Sequence, residues 1–89
     1  MTIEKLIEDI CFHFRIRECD LWTTNKEESV DARCLFVTIL SEQGMTDTDL
    51  ADMFSKTRQG INKLRSSWSE RGKKWQIRMF YEWWKNSEP

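Results

Sequence analysis

The side chains best equipped for chemistry cluster in one short stretch: Lys56, Thr57, Arg58, Gln59, Asn62 and Lys63. Arginine can fork onto the O6 and N7 of guanine, glutamine onto the N6 and N7 of adenine, and lysine meets phosphate as a point charge. A helix that opens at this stretch adds unpaired backbone amides and the positive end of its dipole, both of which favour an anion. Arg65, Lys73 and Lys74 extend the basic run and are expected to meet phosphates. Gly60 lies among these residues, where the lack of a Cβ allows either close approach to a DNA backbone or close packing near Ala51.

Other chemistries find little footing. His13 is the single histidine; between Phe12 and Phe14 it reads as an ordinary surface group on a helix flank, with no nucleophile converging on it. Cys11, His13 and Cys19 lack zinc spacing, because Cys11 belongs to an apolar stripe from which His13 projects away. Cys34 reads as a small core residue. Asp47, Asp49 and Asp52 lack the glycine and distal glutamate of a calcium loop and suit a helix start, where acids meet the positive dipole end. No enzymatic activity, metal site or cofactor is expected.

The elements that must hold the basic cluster are helical by periodicity. Thr2 can cap a helix in which Ile3, Leu6, Ile7, Ile10, Cys11 and Phe14 form one apolar stripe. Residues 15–25 break the pattern, but Ile16, Leu21 and Trp22 predict a structured connection tucked on the core. From Lys26, a broad face of Val30, Ala32, Leu35, Phe36, Ile39 and Leu40 predicts a central helix that stops at Gly44. Thr46 and Asp49 form a capping box for a third helix from Asp47 to Phe54. Ser55, Lys56 and Thr57 give a turn of the length that joins crossed helices, and Ile61, Leu64 and Trp68 line a fourth helix from about Arg58. The expectation is a helix-turn-helix over about 46–71, a break near Gly72, and an aromatic helix over about 73–86.

No alternating strand pattern, repeat or low-complexity tract interrupts this, so the expected fold is one all-α, five-helix domain over residues 1–89. Three cysteines without paired spacing argue against a disulfide framework, and no secretory or membrane-spanning apolar run is present; a cytoplasmic home is expected, nucleoid-associated if the chain binds DNA. Charge is divided. Residues 1–54 hold 5 Lys/Arg against 12 Asp/Glu and residues 55–89 hold 9 against 3, so −7 and +6 lie behind a total of −1.

At the level of motifs the chain resembles the C-terminal DNA-binding domain of the bacterial chromosomal replication initiator DnaA, over about residues 2–66. The resemblance is carried by Phe12-His13-Phe14-Arg15-Ile16 at a helix end, by Asp20-Leu21, by Val30-Asp31-Ala32-Arg33 for V-x-A-R, and by Asp49-Leu50-Ala51-Asp52-Met53-Phe54 for E-I-G-x-x-F. The family's next motif, G-R-D-H-S/T-T-V, falls on Ser55, Lys56, Thr57, Arg58, Gln59, Gly60 and Ile61. The resemblance implies that Thr57, Arg58 and Gln59 read bases in the major groove with Lys56 near phosphate. Lys26, in the loop that matches the family's minor-groove loop, and Arg33 of V-x-A-R join the implied DNA-binding set. Because the Asp-His pair is replaced, a DNA site different from the initiator's own is implied, and the nucleotide-binding motor lies outside the resemblance. The segment Thr57-Arg58-Gln59-Gly60-Ile61 also looks like the S-R-Q-T-V segment of many bacterial repressors and transposases, within the broader Trp-repressor- and DnaA-like class.

In the tail, Trp68, Gly72, Trp75, Met79 and Trp83 recur near heptad spacing. A strip of Trp75, Met79, Phe80, Trp83 and Trp84 is expected either to complete the core or to pair two chains into a homodimer, with one of Trp83 and Trp84 turned outward. The function expected is sequence-specific binding of double-stranded DNA in replication or transcription, with phosphate contacts giving a salt slope of about −5 if six phosphates are neutralised. The alternative is a non-catalytic protein-interaction domain that keeps the helix-turn-helix without DNA affinity. Neither membrane nor small-molecule substrate is expected.

Overall fold

One helix is buried nearly all round, and the others are laid against it. In the computed structural model, which describes residues 2–87, this is α2 (Glu27–Glu42), preceded by α1 (Ile3–Phe14) and followed by α3 (Asp47–Phe54), α4 (Arg58–Ser66), α5 (Trp68–Arg71) and α6 (Trp75–Ser87). The described residues contain no strand. Counting the single turn α5 with α4, from which Ser67 alone separates it in right-handed conformation, the domain has five helices, as the sequence predicts. Within α2, Ala32, Cys34 to Val37, Ile39 and Leu40 are all essentially inaccessible. A helix with apolar residues spread round most of its circumference has to be enclosed, and α1, α4, α5 and α6 enclose it.

The Thr2 hydroxyl opens α1 by accepting from the Lys5 amide, and Leu6, Ile10, Cys11 and Phe14 then turn one stripe inward. Arg15 ends the helix in left-handed conformation at φ 57°, and the amide of Ile16 returns to the Cys11 carbonyl. The connection that follows is ordered: Leu21 is buried, and Trp22 stacks on Phe54 with ring centroids 5.1 Å apart.

Local chemistry also fixes the α3–α4 pair. The Thr46 hydroxyl accepts from the Asp49 amide while the Asp49 carboxylate accepts from the Thr46 amide, each at 3.1 Å, so both partners of the capping box are engaged. Upstream, Gly44 at φ 99° supplies the left-handed stop that ends α2. Ser55 stops α3 at φ 54°, Lys56 bonds back to Ala51, and Thr57 caps α4 through the Gly60 amide at 2.9 Å. Three residues thus turn the chain, and Leu50 and Ala51 of α3 are buried beside Ile61 of α4.

Charge and close packing attach the tail. Asp31, buried in α2, accepts from Arg71 at 2.6 Å and from Lys74 at 3.0 Å, and Glu27 one turn earlier joins both cations. On the other side Tyr81 donates to Glu42, and His13 Nε2 donates to the Gln76 carbonyl at 2.8 Å while its ring lies against Phe80. His13 is therefore a clamp between α1 and α6, where the sequence reads a simple surface group. Gly72 marks the expected break. A Cβ there would stand 2.7 Å from the Trp68 carbonyl oxygen and 2.9 Å from its indole ring, which packs on Tyr81 at 5.1 Å. Gly72→Ala is expected to destabilise by about 1–3 kcal/mol through overpacking, measured as a lowered urea midpoint; an unchanged midpoint would mean that Trp68 yields without cost.

Candidate nucleic-acid interface

Ile61 anchors α4 and Leu64 is half-buried, so the opposite face of the helix is open to solvent. On that face Arg58, Gln59, Asn62, Lys63 and Ser66 border a polar groove of about 680 Å³ whose far wall is Asp47. Arg58, Gln59 and Lys63 make no side-chain hydrogen bond or ion pair among the described residues. Asp47 is occupied instead by Arg65, whose Nε and Nη2 donate to the two carboxylate oxygens at 3.0 and 2.8 Å, and by the Asn62 amide at 3.3 Å. The Arg65 fork, then the Asn62 donor, hold the Asp47 carboxyl below the usual range. One carboxylate in the groove is therefore already neutralised, and the groove stays electropositive at its Arg58 end.

Beside the same helix start lies a second, smaller recess of about 360 Å³, bordered by Trp22, Arg33, Lys56, Thr57, Gly60 and Leu64. Arg33 is held between the buried residues Ala32 and Cys34, and its Nε and Nη2 are buried without a partner among the described residues. Burial, aided by the nearby Arg71 charge, pushes its guanidinium below the ordinary value. A desolvated cation that lacks a counter-charge is costly, and an anion beside it removes that cost. Lys56 lies over the Trp22 ring at 5.4 Å, which fixes a second positive charge at the mouth of the recess.

The remaining sequence-predicted residues are distributed as follows. The Thr57 hydroxyl is engaged in its cap. A Cβ at Gly60 would stand 3.1 Å from that hydroxyl, so the glycine makes room for the cap and not for Ala51. Lys26 precedes α2 and is exposed, and Lys73 is exposed in the bend before α6. Lys74 holds Glu27 and Asp31, and Arg65 holds Asp47, so these two are committed within the fold. Lys56, Thr57, Arg58, Gln59, Asn62, Lys63, Arg65 and Arg33 thus come together around one helix; Lys26, Lys73 and Lys74 border neither recess. Sequence reading found the α4 residues directly but placed Trp22 only on the core and missed its contact with Lys56; an aromatic in a polar connection was the available signal.

The aromatic strip of the tail is divided by the fold. Phe80 and Trp84 point into the core and are almost fully buried, Phe80 keeping only an edge on the groove between α1 and α6; the i, i+4 and i+8 residues Trp75, Met79 and Trp83 stand outward instead. Trp68 and Gly72 leave the proposed seam as well, because their contact with each other packs against Tyr81. Among the described residues no group of three His, Cys, Asp or Glu side chains is placed to hold a metal ion, and no helix is long and apolar enough to cross a membrane.

Comparison of the chain with protein-family models, with curated proteins and with solved structures finds no match. Its own geometry is what bears on function. The ion pairs carry a pH signature. Asp47 beside Arg65, and Glu27 beside Lys74 and then Arg71, both ionise more readily in the folded chain than at their ordinary values of 3.8 and 4.5. Their contribution is present above those values and is lost as acid takes pH down through the lowered folded-state pKa. Urea midpoints are expected to fall as pH drops below about 4.5, and to fall less steeply in Asp47→Asn; equal acid slopes would remove the Arg65 pair from the stability of the α3–α4 unit.

Proposed function

We propose that the protein is a sequence-specific double-stranded DNA-binding module, in which α3 and α4 act as a helix-turn-helix and α4 enters the major groove. The reading resembles the DNA-reading domain of the initiator DnaA, and assigns a role in replication or transcription. The observation that carries it is the state of the α4 N-terminal end, where Arg58 and Gln59 are exposed and uncommitted while acidic neighbours elsewhere occupy Arg65, Arg71 and Lys74. An α-helix with its side chains is about 10–12 Å across, which matches the roughly 12 Å width of a B-form major groove.

Roles follow from position. Arg58 and Gln59 reach base edges, with Asn62 and Lys63 one turn on at the groove rim. Arg33 and Lys56 take a phosphate in the recess beside the capped helix start, where the buried guanidinium gains the counter-charge that the fold withholds. Arg65 acts indirectly: by neutralising Asp47 it keeps a carboxylate from repelling the DNA backbone. Lys26 and Lys73 offer peripheral charge, and Lys74 contributes to the field without being free to bond.

Selection from a pool of random duplexes, followed by binding titrations at several salt concentrations, tests this. Three uncommitted cations left for phosphate, Arg33, Lys56 and Lys63, predict a slope of log affinity on log salt of about −3. Arg58→Ala is expected to cost about 1–3 kcal/mol and relax preference at one base position, whereas Arg33→Ala weakens all sequences equally and flattens the slope by about one. No enrichment, together with no binding at low salt, would overturn the reading.

A further inference from the structure

Away from α3 and α4, helices α1 and α6 flank an open apolar groove of about 920 Å³ walled by Phe12, His13, Ile16, Met79, Phe80 and Trp83. Its surroundings are unusually apolar for a surface. Phe12 is 86% exposed, Trp75 76%, Trp83 51% and Met79 46%. Single exposed apolar residues are ordinary, but a contiguous patch of this kind beside a groove marks a contact surface.

We propose that this groove is the interface between two copies of the chain, with their α1 helices antiparallel across a two-fold axis at Phe12. Charge distribution identifies the occupant. Asp9 stands three residues before Phe12 and Arg15 three residues after it, and both line the same groove. Reversing α1 end for end therefore sets Asp9 against the partner's Arg15 and Arg15 against the partner's Asp9, the self-complementarity that an isologous contact requires. A uniformly acidic or basic partner would meet like charge at one end. The existing contact of Asp9 with Lys5 is 3.0 Å long, and with the Lys5 side chain 56% exposed it is weak enough to yield.

Shape and area agree with this occupant. Phe12 meets its own symmetry mate at the axis, and the same operation covers both grooves at once. Aromatic side chains bury roughly 150–250 Å² each, and three of them with Met79 on each copy bring the paired surface to the order of 1,200 Å² at which stable specific contacts begin. None of the groove walls belongs to α4, so pairing leaves the proposed DNA-reading helix uncovered. The inference also stands apart from DNA binding, since its test contains no DNA.

Sedimentation equilibrium over a concentration series is the test, with circular dichroism confirming that each variant is folded. The expected mass at high concentration is twice 10.8 kDa. Phe12→Asp should weaken pairing at least about tenfold, because it removes a central aromatic anchor. Asp9→Arg should also weaken it, and the exchange Asp9→Arg with Arg15→Asp should bring affinity back to within about threefold, as a restored charge pair does in a double-mutant cycle. A 10.8 kDa species at every concentration would overturn the proposal. So would a dimer indifferent to Phe12→Asp, or a folded charge-exchange variant that fails to regain affinity.

Discussion

The whole arrangement depends on α2 being buried around nearly its full circumference. A helix with one apolar stripe can lie at a surface, but one that buries Cys34, Leu35, Phe36 and Val37 in succession must be enclosed from every direction. Enclosure takes most of a chain this short. It places α1 and α6 along one part of the circumference and α4 with α5 along another, and each enclosing helix spends only its inner stripe. The outer stripes of α4 and of the α1–α6 pair are the surfaces left over, one basic and one apolar.

Electrostatics then sorts the cations of the second half. Asp31 would be intolerable as a buried lone carboxylate, so it takes Arg71 and Lys74 from the basic tail and in doing so fixes the tail to α2. Asp47 takes Arg65 in the same manner. Glu27, Asp31 and Asp47 of the acidic first half thus act as structural counter-charges for the second half, and Asp47 does not stand unopposed near the α4 N-terminus. Arg33 is the exception in both respects: a cation in the acidic half, desolvated, and without a carboxylate. Its neighbourhood with Lys56 makes the recess beside α4 a place where an anion from outside completes the charge pairing of the fold.

Much of this order is legible in the residues, because caps and stops act locally. Thr2, Gly44, the Thr46 and Asp49 pair, and Thr57 each satisfy backbone groups within four positions, and each element begins or ends where they stand. The stripe of α1 was equally readable. What periodicity leaves open is which of two adjacent apolar residues turns inward. Trp83 and Trp84 differ by 100° around α6, and only the position of α1 and α2 decides that Trp84 is covered. Phe12 poses the same difficulty at the other side of the groove. Ion pairs separated by 40 residues or more, such as Asp31 with Arg71, leave no trace in local spacing, so residues suited to phosphate by type alone include several that the fold has already engaged.

The central claim is that enclosure of α2 leaves the start of α4 as the open, electropositive surface for DNA. Backbone amide chemical shifts, followed by NMR as a random-sequence duplex is added at low salt, test it most directly. The account predicts perturbations gathered at residues 56–63 and at Arg33, with α1 and α6 unmoved. Perturbations centred on Phe12 and Trp83, or none at any duplex concentration, would contradict it.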